Sequence, residues 1–286
     1  MLKKISEVFS KIIIFLDNFF FKLTSKRFRY YLQDALRAES LTSIFYDNKK
    51  YTFFNPSNLT YWRTKTFEKK EPETLSWIKS FELSNPIFWD IGANVGLYSV
   101  FAGKEHPNAE IVSFEPSGLN IGILEKNIAL NNLEANIKIL QIPLLNRSRE
   151  FLYMYESSNE EGGALNSFGN NLGFDGKEIN LKNKYQIYGT SINQLIDDEV
   201  LKVPNYIKID VDGNEHLILE KATSILTSNK VKEIMVELNE DYREQFIKVN
   251  SILQENSFTF KQKFISEFAK NSKFQKSYNY LFKKTI

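Results

Sequence analysis

Apolar residues recur with helical period over residues 2–23: Ile5, Val8, Phe9, Ile12, Leu16, Phe19 and Leu23 fall on one face, with Lys4, Lys11, Asn18 and Lys22 on the other. Lys11 and Asp17 interrupt the run, which makes it too short to span a bilayer. No small-residue cleavage site follows it. The pattern predicts an amphipathic helix with two open alternatives, a peripheral position on an anionic membrane surface or packing against protein, either this chain or a second copy in a homodimer. Residues 28–66 are poorly patterned, with short strands expected at 43–46 and 50–54 and a turn at Pro56 and Asn58. Tyr61, Trp62 and Arg63 suit a site wall or plain packing equally. Pro72 sits early in a helix that continues through Leu75, Trp77 and Ile78, its start favoured by Glu71 and Glu73. That segment leads directly into the first strand of the main pattern, where it would cover a ligand.

From residue 87 onward, short apolar runs alternate with helical stretches: strand 87–91, helix 97–105, strand 110–115, helix 118–131 and strand 136–141. This is the rhythm of a parallel α/β sheet. It breaks at 150–190, where strands at 151–155 and 185–188 enclose a stretch rich in Gly, Asn and Ser, read as a lid over an acceptor. Helix 191–199, strand 206–210, helix 214–226, strand 231–238 and helix 241–256 then resume it, and 258–264 with 278–282 form a terminal pair of strands. The expected division is an N-terminal extension (1–66) and a main domain (67–286) carrying the 150–190 insertion.

Candidate chemistry centres on Phe88-Trp-Asp-Ile-Gly-Ala-Asn-Val-Gly96, a strand running into a glycine turn and a helix. Gly92 and Gly96 lie where the backbone must turn sharply beside a ligand, and the helix that follows presents unpaired N–H groups. An acid precedes the first glycine and Asn94 replaces the central one, so the stretch departs from the dinucleotide fingerprint. A carboxylate there suits a ligand with an ammonium group, as in S-adenosylmethionine. Asp90, Gly92, Asn94 and Gly96 are therefore cofactor candidates. Glu115, ending the next strand about 20 residues on, stands where α/β nucleotide folds bind a ribose diol.

Taken together, Trp89-Asp-Ile-Gly-Ala-Asn-Val-Gly-Leu-Tyr-Ser99, Phe114-Glu-Pro116, Asn127-Ile-Ala-Leu-Asn131 and Ile207-Lys-Ile-Asp-Val-Asp-Gly-Asn-Glu215 resemble the FkbM family of S-adenosylmethionine-dependent methyltransferases. Lys70-Glu-Pro-Glu-Thr74 and Trp77 are similar to its lead-in. The resemblance covers roughly residues 70 to 240 and implies a Rossmann-like, seven-stranded class I methyltransferase sheet with helices on both faces. It also implies O-methylation of a hydroxyl on a small molecule or glycan. Asp212 stands where the family usually has Glu, and Asn193 where it usually has Asp, so Asn193 receives no catalytic role.

Asp210 falls at the carboxyl end of the fourth strand, where open α/β sheets place ligands, and Asp212 and Glu215 follow on the adjoining turn. Lys208 shares a strand face with Asp210 and can pair with it. These four are the catalytic candidates, Asp210 as a base for a hydroxyl proton. Asp210, Asp212, Glu215 and Glu237 are also hard oxygen donors that would accept a divalent metal, although no metal is predicted. Asp-x-Asp keeps a metal-dependent glycosyltransferase as one alternative, and a non-catalytic membrane-peripheral scaffold is another.

Composition narrows the picture further. The net charge of +2 argues against nucleic acid as a partner. Its distribution is uneven: residues 1–29 hold seven Lys/Arg against two acids and residues 261–286 seven against one, leaving the middle with 23 basic and 32 acidic residues. The absence of cysteine removes disulfides, thiolate zinc sites and cysteine nucleophiles. His106 and His216 read as ordinary surface positions, and the chain as cytoplasmic or peripheral to the inner face of the membrane.

Overall fold

The computed structural model describes residues 1–285. Two compact units divide between Leu41 and Thr42. In the first, helices α1 (Leu2–Thr24) and α2 (Phe28–Ala38) are joined around Asp17, which accepts from Arg27 Nη1 at 2.9 Å and from the Arg29 backbone N–H at 3.1 Å. Phe20 meets Phe28 edge to face.

The second unit opens with a hairpin of β1 (Leu41–Tyr46) and β2 (Lys49–Phe54), then α3 (Asn58–Lys65), α4 (Phe67–Lys70) and α5 (Pro72–Lys79). Tyr51, Phe53 and Phe54 are buried in its core, so the expected boundary after residue 66 moves upstream. Two asparagines explain why. Asn127 and Asn131 accept from the Phe54 and Thr52 N–H groups, stitching β2 to a helix far along the chain.

The α/β pattern follows in order: β3 (Ile87–Ile91), α6 (Leu97–Glu105), β4 (Glu110–Phe114), α7 (Gly118–Leu130) and β5 (Ile137–Leu140). The insertion holds β6 (Glu150–Glu156), β7 (Ser167–Phe168) and β8 (Asn183–Gly189), a small separate sheet in the order β7-β6-β8. After it come α8 (Ile192–Asp197), β9 (Tyr206–Ile209), α9 (Glu215–Glu220), α10 (Thr223–Leu226), β10 (Glu233–Asn239), α11 (Arg243–Glu255), β11 (Phe258–Phe264), α12 (Glu267–Lys270) and β12 (Ser277–Lys284).

The main sheet has seven strands in the order β11-β12-β10-β9-β3-β4-β5, with β12 alone running against the others. The expected doubly wound sheet is therefore present. Its central strands are largely apolar on both faces, apart from one polar row, because each face is covered by helices. Phe88 packs with α5, α6 and α7, while Trp89 and Ile91 join α8 to α11 on the opposite side. The chain winds outward from β3 in both directions, so a crevice opens at the carboxyl ends of β3 and β9.

Two local expectations change. The single helix expected at 214–226 breaks into α9 and α10, because Asn193 Oδ1 accepts from the Ser224 N–H and hydroxyl and so caps a new helix start. Neither histidine is an ordinary surface residue. His216 is buried against Tyr242, and His106 stacks on Phe81 with Nε2 at 2.7 Å from the Ile78 carbonyl.

Candidate functional site

The turn after β3 is built by backbone conformation. Gly92 has φ +89°, and a Cβ there would lie 1.8 Å from the Asp210 carbonyl oxygen, so any side chain would collide with β9. Asn94 also adopts positive φ, which aims its N–H at Glu115 Oε2, 2.8 Å away. Glu115 Oε1 accepts from the Ser117 N–H at 2.9 Å and from Asn120 Nδ2 at 3.3 Å. Burial pushes the Glu115 carboxyl up to about 7, against the pull of those donors.

Two cavities meet at this turn. A narrow cleft of about 80 Å³ runs between Phe114, Glu115, Pro116, Ile142, Leu144 and Phe168. A larger cavity of about 540 Å³ lies beside it, walled by α3, α4, the insertion and the β11–β12 connection. Gly92, Asn94, Gly163, Ala164 and Asp210 line both. The insertion is tied down as their roof. The Gly163 carbonyl accepts from Asn94 and Asn120, Asn120 Oδ1 accepts from the Gly162 N–H, the Gly162 carbonyl accepts from Arg63 Nε, and Asp212 Oδ2 accepts from the Leu165 N–H.

Of the expected cofactor residues, Gly92, Asn94 and Glu115 line the space and Asp90 and Gly96 do not. Gly96 serves the turn itself, with φ +81° and Leu124 where a Cβ would go. Asp90 is 1% exposed and lies beneath the loop in a polar row across the sheet, level with Ser113 and Lys208. Ser99 donates to its Oδ2 at 2.6 Å and receives from Ser113, while Oδ1 has no partner among the described residues. Burial raises the Asp90 carboxyl, opposed by Lys208 and Ser99.

The catalytic candidates separate in the same way. Asp210 and Asp212 face the large cavity, whereas Lys208 and Glu215 line neither. Lys208 is 1% exposed and donates to Asp210 Oδ2 at 2.6 Å, the pairing expected from the strand alternation. Burial works against its charge, but Asp210, Glu71 and Asp90 outweigh that and raise it. Glu215 receives the Val211 and Gly213 N–H groups and Gln245 Nε2, so it shapes the turn that presents Asp212. Asp212 is pushed up to about 6 by burial and by the Asp210 charge, and Glu215 up to about 8 by burial.

Sequence reasoning missed Glu71 and Lys70 as site residues, although it placed their segment over the ligand. Glu71 is 2% exposed, paired with Lys70 Nζ at 2.8 Å, and both line the large cavity. Burial opposes its ionisation, yet Lys70 and Lys208 hold it down to about 2. Asn120 was missed as well. The only cue was an amide five residues past Glu115, and an amide in an apolar helix is an ambiguous signal. Among the described residues, Glu71, Asp210 and Glu237 bring carboxylate oxygens within 4.8 Å of one another, a set that excludes Asp212 and Glu215. Lys70 and Lys208 already answer two of those charges. The residues present therefore do not favour a divalent cation, and Asp212 stands outside the set that converges on Asp210.

A family model described as "Methyltransferase FkbM domain" matches residues 90–260. A curated protein, methyltransferase sdnD of Sordaria araneosa, is 41% identical over 61 residues, 21% of this chain and 24% of that protein. The match thus spans about a quarter of the curated relative's length. Among solved structures, methyltransferase FkbM from Methylobacillus flagellatus KT has a TM-score of 0.48 at 13% identity, covering 78% of this chain and 51% of that one. Precorrin-6y C5,15-methyltransferase from Geobacter metallireducens GS-15 has a TM-score of 0.44 at 14% identity, covering 75% and 87%.

Proposed function

This chain belongs to the FkbM methyltransferase family, and from that premise we propose that it moves a methyl group from S-adenosylmethionine to a hydroxyl oxygen of a small molecule or glycan. The observation that carries the reading is the pair of cavities joined at Gly92, Asn94 and Asp210. The narrow cleft suits a nucleoside. Apolar walls flank Glu115, whose Oε2 accepts only from the Asn94 N–H and so keeps a lone pair for a ribose hydroxyl. When bound there, S-adenosylmethionine supplies an electrophilic methyl group. Gly92 and Asn94 line the junction with the large cavity, where its amino-acid end would lie and the acceptor would enter.

Asp210 stands at that junction with one oxygen pinned by Lys208, so its second oxygen takes the proton of the attacking hydroxyl. Positioning supplies the remainder, because displacement at carbon requires an in-line approach. Roofing by residues 162–165 keeps water from competing as acceptor. Lys208, Asp90 and Glu215 act through the residues they hold.

Isothermal calorimetry with S-adenosylmethionine tests the reading, together with labelled methyl incorporation into fractionated small molecules, glycans and lipids. Saturable binding and a labelled acceptor are expected, and no heat at millimolar ligand would refute it. Asp210→Asn should lower turnover at least tenfold while leaving cofactor affinity within about threefold. Retained turnover would make Asp210 structural.

A further inference from the structure

Strands β10 and β12 run antiparallel, with Glu237 opposite Asn279 and Asn239 opposite Ser277. Opposed residues project from the same sheet face, as do residues two apart, so Glu237, Ser277 and Asn279 stand together where the sheet borders the large cavity. Ser277 and Asn279 are each only 6% exposed, yet among the described residues Ser277 Oγ and Asn279 Oδ1 find no hydrogen-bond partner. The Asn279 amide cannot turn to relieve this, because its Nδ2 donates to Glu73 Oε1 at 3.0 Å. Two buried polar atoms left open in one corner leave their desolvation uncompensated. A ligand that supplied both partners would remove that cost.

The charge around this corner balances within the chain. Lys70 answers Glu71, Lys208 answers Asp210, and the Arg63 charge favours the ionised form of Asp212. Burial, reinforced by the Asp210 and Glu71 charges, lifts the Glu237 carboxyl well above its usual range. The paired charges lining the cavity disfavour a strongly cationic or anionic ligand. The same cavity carries an aromatic pair, Trp62 and Phe268, edge to face at 5.9 Å.

We propose that Ser277, Asn279 and Glu237 form the acceptor subsite, and that the acceptor is a neutral sugar ring. Its neighbouring hydroxyls pair with these three side chains, and its C–H face lies on Trp62 and Phe268. The proposal rests on the methyl-transfer reading, since it deepens the same site. A phenol would fill the aromatic wall but supply one hydroxyl to three partners.

Ligand-observed saturation-transfer NMR with methyl glycosides of glucose, galactose and rhamnose tests it. Protein saturated with S-adenosylhomocysteine is used, with benzylamine and p-cresol as competitors. At least one glycoside should bind in the millimolar range, weakened roughly threefold to tenfold by Ser277→Ala and further by Asn279→Leu. S-adenosylhomocysteine affinity should be unchanged in both variants, which also shows that they are folded. Failure of every glycoside to bind, equal binding to the variants, or tighter binding of benzylamine or p-cresol at the same residues would overturn the proposal. Absence of S-adenosylhomocysteine binding alongside variant-sensitive glycoside binding would instead sink the methyl-transfer reading and leave the sugar subsite standing.

Discussion

Near neutral pH the Glu115 carboxyl sits at its own titration point, held up to about 7 by burial. Ribose hydroxyls donate better to the ionised form, so ligand binding and proton release are linked. Cofactor affinity should therefore rise between pH 6 and pH 8 and then level off. Glu115→Gln should flatten that profile, and Glu115→Ala should cost about 1.5–3 kcal/mol of binding, the worth of hydrogen bonds to a charged group. Calorimetry across the pH range checks both, and a flat wild-type profile would remove Glu115 from the ribose. Glu115 was legible in the sequence because it ends a strand at a telling distance from the glycine turn. Asp90 was legible as a motif but not as a buried support, since its role depends on Ser99, Ser113 and Lys208 beside it.

Helices and strands carry a different kind of information. Helix α1 exposes Ile5, Val8, Phe9, Ile12, Phe15, Phe19 and Leu23, and its charged residues other than Asp17 and Glu7 are lysines. Apolar area exposed beside basic residues favours an anionic bilayer surface. Co-sedimentation with vesicles containing phosphatidylglycerol should occur at 50 mM salt and weaken by 500 mM, and Phe9→Asp with Phe15→Asp should abolish it. Absence of pelleting at low salt would leave protein packing as the remaining reading. Among the described residues, no helix is long and apolar enough to cross a membrane. The 150–190 insertion was expected as a lid from its length and glycine content. What the pattern could not convey is its anchoring, which uses Asn94, Asn120, Arg63 and Asp212 from four separate stretches.

Across the molecule, the site concentrates acids whose burial raises them: Glu115 to about 7, Glu215 to about 8, and Glu237 higher than its usual range. A carboxyl raised in the folded state binds its proton more tightly there than in the unfolded chain. Its contribution is thus present at low pH and lost as pH rises through the folded value. Glu71, held down to about 2, works oppositely but only below the ordinary carboxylate range. Buried His216, whose ring is lowered by burial, opposes the trend below pH 6.5. Between pH 6.5 and 8.5 the thermal midpoint should fall by on the order of 5 °C, and Glu215→Gln should flatten part of that fall. Differential scanning calorimetry measures it, and a rising midpoint would contradict the burial of these acids.

By itself the sequence determined the strand order's raw material, the glycine turn, the carboxylate ending β4 and the Lys208–Asp210 pairing. Each of these is set by the period of the pattern or by residues a few positions apart. Tertiary structure alone decided which carboxylates converge, Glu71 and Glu237 with Asp210 rather than Asp212 and Glu215. It also decided that residues 42–66 belong to the main unit and that Ser277 Oγ and Asn279 Oδ1 are buried without partners among the described residues. The physical reason is that burial and hydrogen-bond supply depend on what lies across the sheet, and those neighbours come from distant parts of the chain.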